Sequence, residues 1–170
     1  MSKELKKNVW HAVFVGIGSG AVIGAYALLP LENPLFWAVF ITLPTVFMFG
    51  GAWSDVVPLS ANALFGLAMG WSCFQLLFAM TAAGMGYVAA LVISVVAVTV
   101  VLQTVTAGFL GASFGRCPMA FVGLIACFAA GGENLAVAAV SLVVGVLAAT
   151  CFARSGVWAA KLAGTDSSEA

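Results

Sequence analysis

Between Asn8 and Ala153 the chain carries only Glu32, Asp55, Arg116 and Glu133 as formally charged side chains, with one histidine, His11. A domain folded in water spreads charge over its surface, about a quarter of its residues. Here 7% of 170 residues are charged and 64% are hydrophobic. That excludes a soluble globular protein. It also excludes a nucleic-acid binder, because phosphate neutralisation needs a basic surface and Lys plus Arg number 6. The expected class is an all-α integral membrane protein, since an open strand cannot satisfy its backbone in hydrocarbon. Residues 1–164 read as one polytopic membrane domain, and 165–170 as a flexible C-terminal tail.

Apolar runs divided by breakers predict a six-span helical bundle. The first run is Val9 to Leu29, stopped by Pro30 to Pro34. The second, Leu35 to Phe49, contains Pro44 and should kink there; it ends at Gly50-Gly51. The third runs from Ser60 to Met80. The fourth, Tyr87 to Leu110, is rich in β-branched residues. Gly111 to Arg116 reads as a break. The fifth, Cys117 to Ala130, is short, and the sixth is Leu135 to Phe152, followed by a partly amphipathic stretch from Arg154. The basic start and Ala25-Tyr26-Ala27 resemble a signal peptide, but the long apolar run favours an uncleaved first helix.

Charge orients the spans. With both termini in the cytoplasm, the inner segments hold Lys3, Lys6, Lys7, Arg116, Arg154 and Lys161, which are all the Lys and Arg of the chain. The outer turns hold Glu32 and Glu133. This is a complete positive-inside pattern, and it predicts a bacterial inner membrane location.

Small residues recur at four-residue spacing: Gly16, Gly20 and Gly24; Gly66 and Gly70; Ala107, Gly111 and Gly115; Ser141 and Gly145. Such faces let helices approach closely. Packing within the chain is the simpler reading, and a homo-oligomer formed through one face is the alternative. The order of features also suggests a 3+3 inverted repeat. Gly20 and Gly24 in the first run answer Ala107 and Gly111 in the fourth. Pro34 and Gly50-Gly51 bracket the second run as Pro118 and Gly131-Gly132 bracket the fifth. Asp55 and Glu133 follow. Short, broken helices in matching places, here the second and fifth, point to a solute site.

Catalytic chemistry finds little support. Gly111 to Gly115 matches G-x-S-x-G around Ser113, but the only histidine is His11 and no Lys lies in the sixth run, so the serine has no base. Gly16 to Gly20 lacks the spacing of a dinucleotide fingerprint. The cysteines, Cys73, Cys117, Cys127 and Cys151, stand singly and offer neither a disulfide framework nor a metal site. Neither cofactor nor metal is expected. The candidates for a solute path are Asp55, Asn62, Gln103, Glu133 and Asn134, set against the plainer reading of solvated loop acids and interhelical amides. The function they predict is a channel or facilitator for a small neutral or weakly acidic solute, whose identity the sequence leaves open. The alternative is a non-transporting accessory membrane protein that associates through its small-residue faces. In both, the lipid bilayer is the constant partner.

The segments Cys117-Pro118-Met119-Ala120-Phe121-Val122-Gly123, Cys127-Phe128-Ala129-Ala130-Gly131-Gly132-Glu133, Ser141 to Gly145 and Ala153 to Trp158 resemble the YcdZ-like family of short bacterial inner-membrane proteins. The resemblance implies an inner-membrane location and carries over no substrate or catalytic residue.

Overall fold

The computed structural model describes residues 2–164, and within them every side chain but those of Ala112 and Ser113; the expected tail, 165–170, lies outside the described residues. Among these residues all regular structure is helical. Helix α1 spans Lys3–Ala27, and the Ser2 hydroxyl accepts the Leu5 amide at 3.2 Å to cap it. The second apolar run forms two pieces, α2 (Phe36–Phe40) and α3 (Leu43–Met48). Pro44 cannot donate an amide to the Phe40 carbonyl, so the helix breaks just before it. The Thr42 hydroxyl donates to the Val39 carbonyl there at 2.8 Å. A 3-10 turn, Trp53–Asp55, leads into α4 (Val56–Ala82). Helix α5 (Tyr87–Gln103) widens into a π-helical segment, Thr104–Phe109. Then come α6 (Gly111–Phe114), α7 (Cys117–Ala129) and α8 (Leu135–Ala163).

Several expected boundaries move. Gly111 to Arg116 is not simply a break, since α6 makes one helical turn within it. The fifth run is short but unbroken, because Pro118 sits in the first turn of α7, where a missing amide costs nothing. The sixth run does not end at Phe152: α8 continues to Ala163, burying Ala159, Ala160 and Ala163. Four helical stretches are long and apolar enough to cross a membrane, Lys3–Ala27, Trp53–Ala82, Tyr87–Phe109 and Leu135–Ala163. Phe36–Met48 and Cys117–Ala129 are apolar but shorter. At 1.5 Å per residue each of those two reaches only about 20 Å, against about 30 Å of hydrocarbon.

Helices α4 and α8 pack on each other and carry the rest. Helices α7 and α5 lie on α4, while α1, α2 and α3 lie on α8. The core between them joins Leu59, Ala63 and Leu67 of α4 to Met119, Val122 and Ala126 of α7, and to Leu142 and Val146 of α8. Glycines make the closest approaches. A Cβ on Gly66 would overlap the Ala120 carbonyl, one on Gly123 the Ala63 carbonyl, and one on Gly145 the Val39 carbonyl. Side-chain-free contacts of this kind let apolar helices gain van der Waals energy where hydrophobic driving force is weak.

The two long helices share a burial register. If Gly66 is set on Gly145, the buried residues Leu59, Asn62, Ala63, Leu67, Gly70 and Cys73 fall on Ala138, Ser141, Leu142, Val146, Ala149 and Phe152, all buried. The short helices end alike as well. Gly51 and Gly50 donate to the Val46 and Phe47 carbonyls at 3.2 and 3.0 Å, and Gly132 and Gly131 donate to those of Cys127 and Phe128 at 3.0 Å each. All four glycines have positive φ, between 63° and 82°, which a side chain would oppose.

Candidate functional site

The packing gathers charge at one end of the bundle. Helices α1 and α8 run antiparallel, with Tyr26 meeting Ser141 and His11 meeting Ser155. This brings Lys3, Lys6 and Lys7 to the end that holds Arg154 and Lys161. Arg116 joins them through Asp55 and Phe49, because the α3–α4 connection lies against α8, with Gly51 beside Ala153. Glu32 and Glu133 lie toward the other end, beyond Tyr26 and before α8.

Asp55 and Asn62, singled out in the sequence, come together around Arg116. The Arg116 guanidinium donates to the Asp55 carboxylate at 2.8 Å, with the side chains only 14% and 17% exposed. Asp55 is therefore not a solvated loop acid. Arg116 also lies over the Phe49 ring, 5.1 Å from its centre. Asn62 is fully buried, and its amide donates to the Pro58 carbonyl at 2.7 Å and the Phe114 carbonyl at 3.0 Å. Its carbonyl oxygen accepts the Arg116 backbone amide at 3.1 Å. Asn62 thus fastens the connection before α7 onto α4.

Two clefts flank this connection. One, of about 560 Å³, runs from Met48 and Phe49 past Thr106 and Gly111 to Arg116 and Pro118. The other, of about 240 Å³, is lined by Asn62, Phe65, Val105 and Phe114 among others. The π-helical segment forms part of both walls through Thr106 and Val105. A π-turn leaves its helix locally under-bonded and is frequent at functional sites.

The other candidates lie elsewhere. Gln103, Glu133 and Asn134 are exposed, and none of them lines either cleft. The packing candidates divide. Gly66, Gly70, Gly115, Ser141 and Gly145 are in close contact. A Cβ on Gly16, Gly20, Gly24 or Gly111 would meet nothing within 4 Å, and Ala107 is exposed. In α1 the glycine that does pack is Gly18, against Phe152. The Ser113 side chain lies outside the described residues. Sequence reading missed Arg116 as part of a site, although it and Asp55 are the only charges in the connections before α4 and before α7.

At the opposite end, the Tyr26 and Ser141 hydroxyls share a buried hydrogen bond, and Ser141 also donates to the Val137 carbonyl at 2.6 Å. Ser141 holds the end of α1 from the register position of α8 that matches Asn62 in α4. An ion pair with an amide clamp ties the helices together at one end of the bundle, and a hydroxyl pair ties α1 to α8 toward the other.

These features define an all-helical protein with several apolar helices compatible with a membrane. The chain belongs to DUF1097, a protein family of unknown function, whose pattern it matches over residues 8–157. No curated protein and no solved structure matches it.

Proposed function

We propose that the chain is a six-span inner-membrane channel or facilitator for a small neutral or weakly acidic solute, with both termini in the cytoplasm. Within that pair the close glycine–carbonyl contacts between α4 and α7, and between α8 and α2, favour a facilitator over a standing pore. The narrower YcdZ-like resemblance supports the inner-membrane location.

The observation that carries this reading is the matched packing of the two halves. Helix α1 lies on α8 as α5 lies on α4, and the short α2–α3 lies on α8 as α7 lies on α4. Gly145 abuts the Val39 carbonyl as Gly66 abuts that of Ala120. This supports a 3+3 inverted repeat, the plan in which paired short helices frame a solute path that opens to one side at a time. The cleft beside Asp55, Asn62 and Arg116 is the inner mouth in this reading, and Tyr26 with Ser141 the outer seal. The ion pair neutralises the mouth, which suits an uncharged solute.

Flux into proteoliposomes tests it, with a panel of small neutral solutes and weak acids followed by light scattering or an internal pH dye. Faster entry than into protein-free vesicles for at least one solute, altered by Asp55→Asn, is the expected result. Entry at the protein-free rate for the whole panel overturns it. One observation favours the accessory reading instead: Gly16, Gly20 and Gly24 leave a small-residue face of α1 open. That reading expects a dimer in mild detergent that Gly20→Leu dissociates.

A further inference from the structure

A third cleft, of about 420 Å³, opens at the basic end of the bundle between α1, the α3–α4 connection and α8. Phe14, Trp53 and Trp158 supply its aromatic walls, and Arg154, Ser155 and Cys151 the remainder. None of these is acidic. Asp55 is the acid nearest in the chain to Trp53, and its carboxylate is engaged by Arg116. Glu4 stands in the first turn of α1 and is not among the lining residues. More positive potential comes from Lys161, whose ammonium lies 6.0 Å from the Trp158 ring centre. His11 Nδ1 lies 3.4 Å from the Ser155 hydroxyl.

Depth decides what such a cleft can hold. From Leu135 to Arg154 the helix rises about 29 Å at 1.5 Å per residue, close to the thickness of the hydrocarbon core. If α8 enters the bilayer at Leu135, Arg154 emerges at the opposite hydrocarbon boundary, from which its long side chain reaches the level of lipid phosphates. Trp53 and Trp158 are the residues that settle at that level. An apolar, aromatic-walled recess with a guanidinium at its rim matches a ligand with both acyl chains and an anionic head.

We propose that this cleft binds an anionic phospholipid, its phosphate on Arg154 at the level of Trp53 and Trp158 and its upper acyl chains against Phe14 and Cys151. The site rests on the membrane reading of the helices and is independent of any solute path. Arg154 supplies a charge-assisted, forked donor for phosphate, while Lys161 selects for negative charge at longer range.

Native mass spectrometry of the detergent-extracted protein, titrated with phosphatidylglycerol or phosphatidylcholine of identical chains, tests it. The expected result is a one-to-one adduct that forms at least about fivefold more readily with phosphatidylglycerol, the effect of one cation at an anionic lipid head. Arg154→Gln should remove most of that preference and Arg154→Lys retain more of it. Phosphatidylglycerol should also slow alkylation of Cys151, which is exposed in the cleft. Inorganic phosphate should not. Equal binding of the two lipids by the wild type overturns the proposal without recourse to any variant. A preference unchanged in Arg154→Gln overturns the placement, and equal protection of Cys151 by inorganic phosphate marks a free-anion site instead of a lipid site.

Discussion

Asp55 and Arg116 show how much one contact changes the meaning of a residue. Apart, they are a loop acid and a cation that orients a topology. Together they form a mostly buried pair that joins the start of α4 to the start of α7. Removing one partner strands the other, so Asp55→Asn should cost about 2–4 kcal/mol in detergent unfolding. Replacing both, as Asp55→Leu with Arg116→Met, should recover at least half of that loss. A double variant no better than the single would mean that Arg116 holds the site by other contacts. Asn62 is the second clamp. Asn62→Ala leaves the Arg116 amide and the Phe114 carbonyl without their partner, and should cost about 1–3 kcal/mol. Asn62→Ser, matching Ser141, should cost less. The sequence pointed to Asp55 and Asn62 because polar groups are rare among apolar runs. It could not pair Asp55 with Arg116, because they lie far apart in the chain and only the packing of α7 on α4 joins them.

At the scale of the helices, small residues have opposite consequences according to what faces them. Gly66 and Gly20 belong to similar four-residue patterns. Gly66 lies against the Ala120 carbonyl, where backbone cannot yield, whereas Gly20 has nothing within 4 Å. Gly66→Ala should therefore unfold the protein or lower its stability by about 3 kcal/mol or more, as overpacking against backbone does. Gly20→Ala should be neutral or slightly stabilising in a monomer, because alanine favours the helix. If Gly20→Ala proves as damaging as Gly66→Ala, a second chain covers α1. The breaks at Pro44 and at both Gly-Gly pairs were legible, since each has a local cause. The extension of α8 to Ala163 and the π-segment Thr104–Phe109 were not, because tertiary contacts rather than local breakers decide them. The proposed repeat rests on residues other than those the spacing suggested. Spacing matched Asp55 with Glu133, but Asp55 is ion-paired and Glu133 is exposed, while the matched buried pair is Asn62 with Ser141.

Across the whole molecule, the facilitator reading and the lipid site both depend on how the helices sit in a bilayer. Four of them are long enough to cross, and the standing of α2–α3 and α7 as short spans decides whether the halves are opposed. Three-helix halves can face opposite ways only if each short helix carries the chain across. Sided labelling of single cysteines, in a background lacking the native ones, measures this directly. With replacements at Lys6, Ser54, Met85 and Glu133, a membrane-impermeant maleimide added to intact cells should modify positions 85 and 133 and spare 6 and 54 until the membrane is opened. Modification of position 54, or protection of position 85 or 133, in intact cells would contradict the six-span arrangement and the opposed halves built on it.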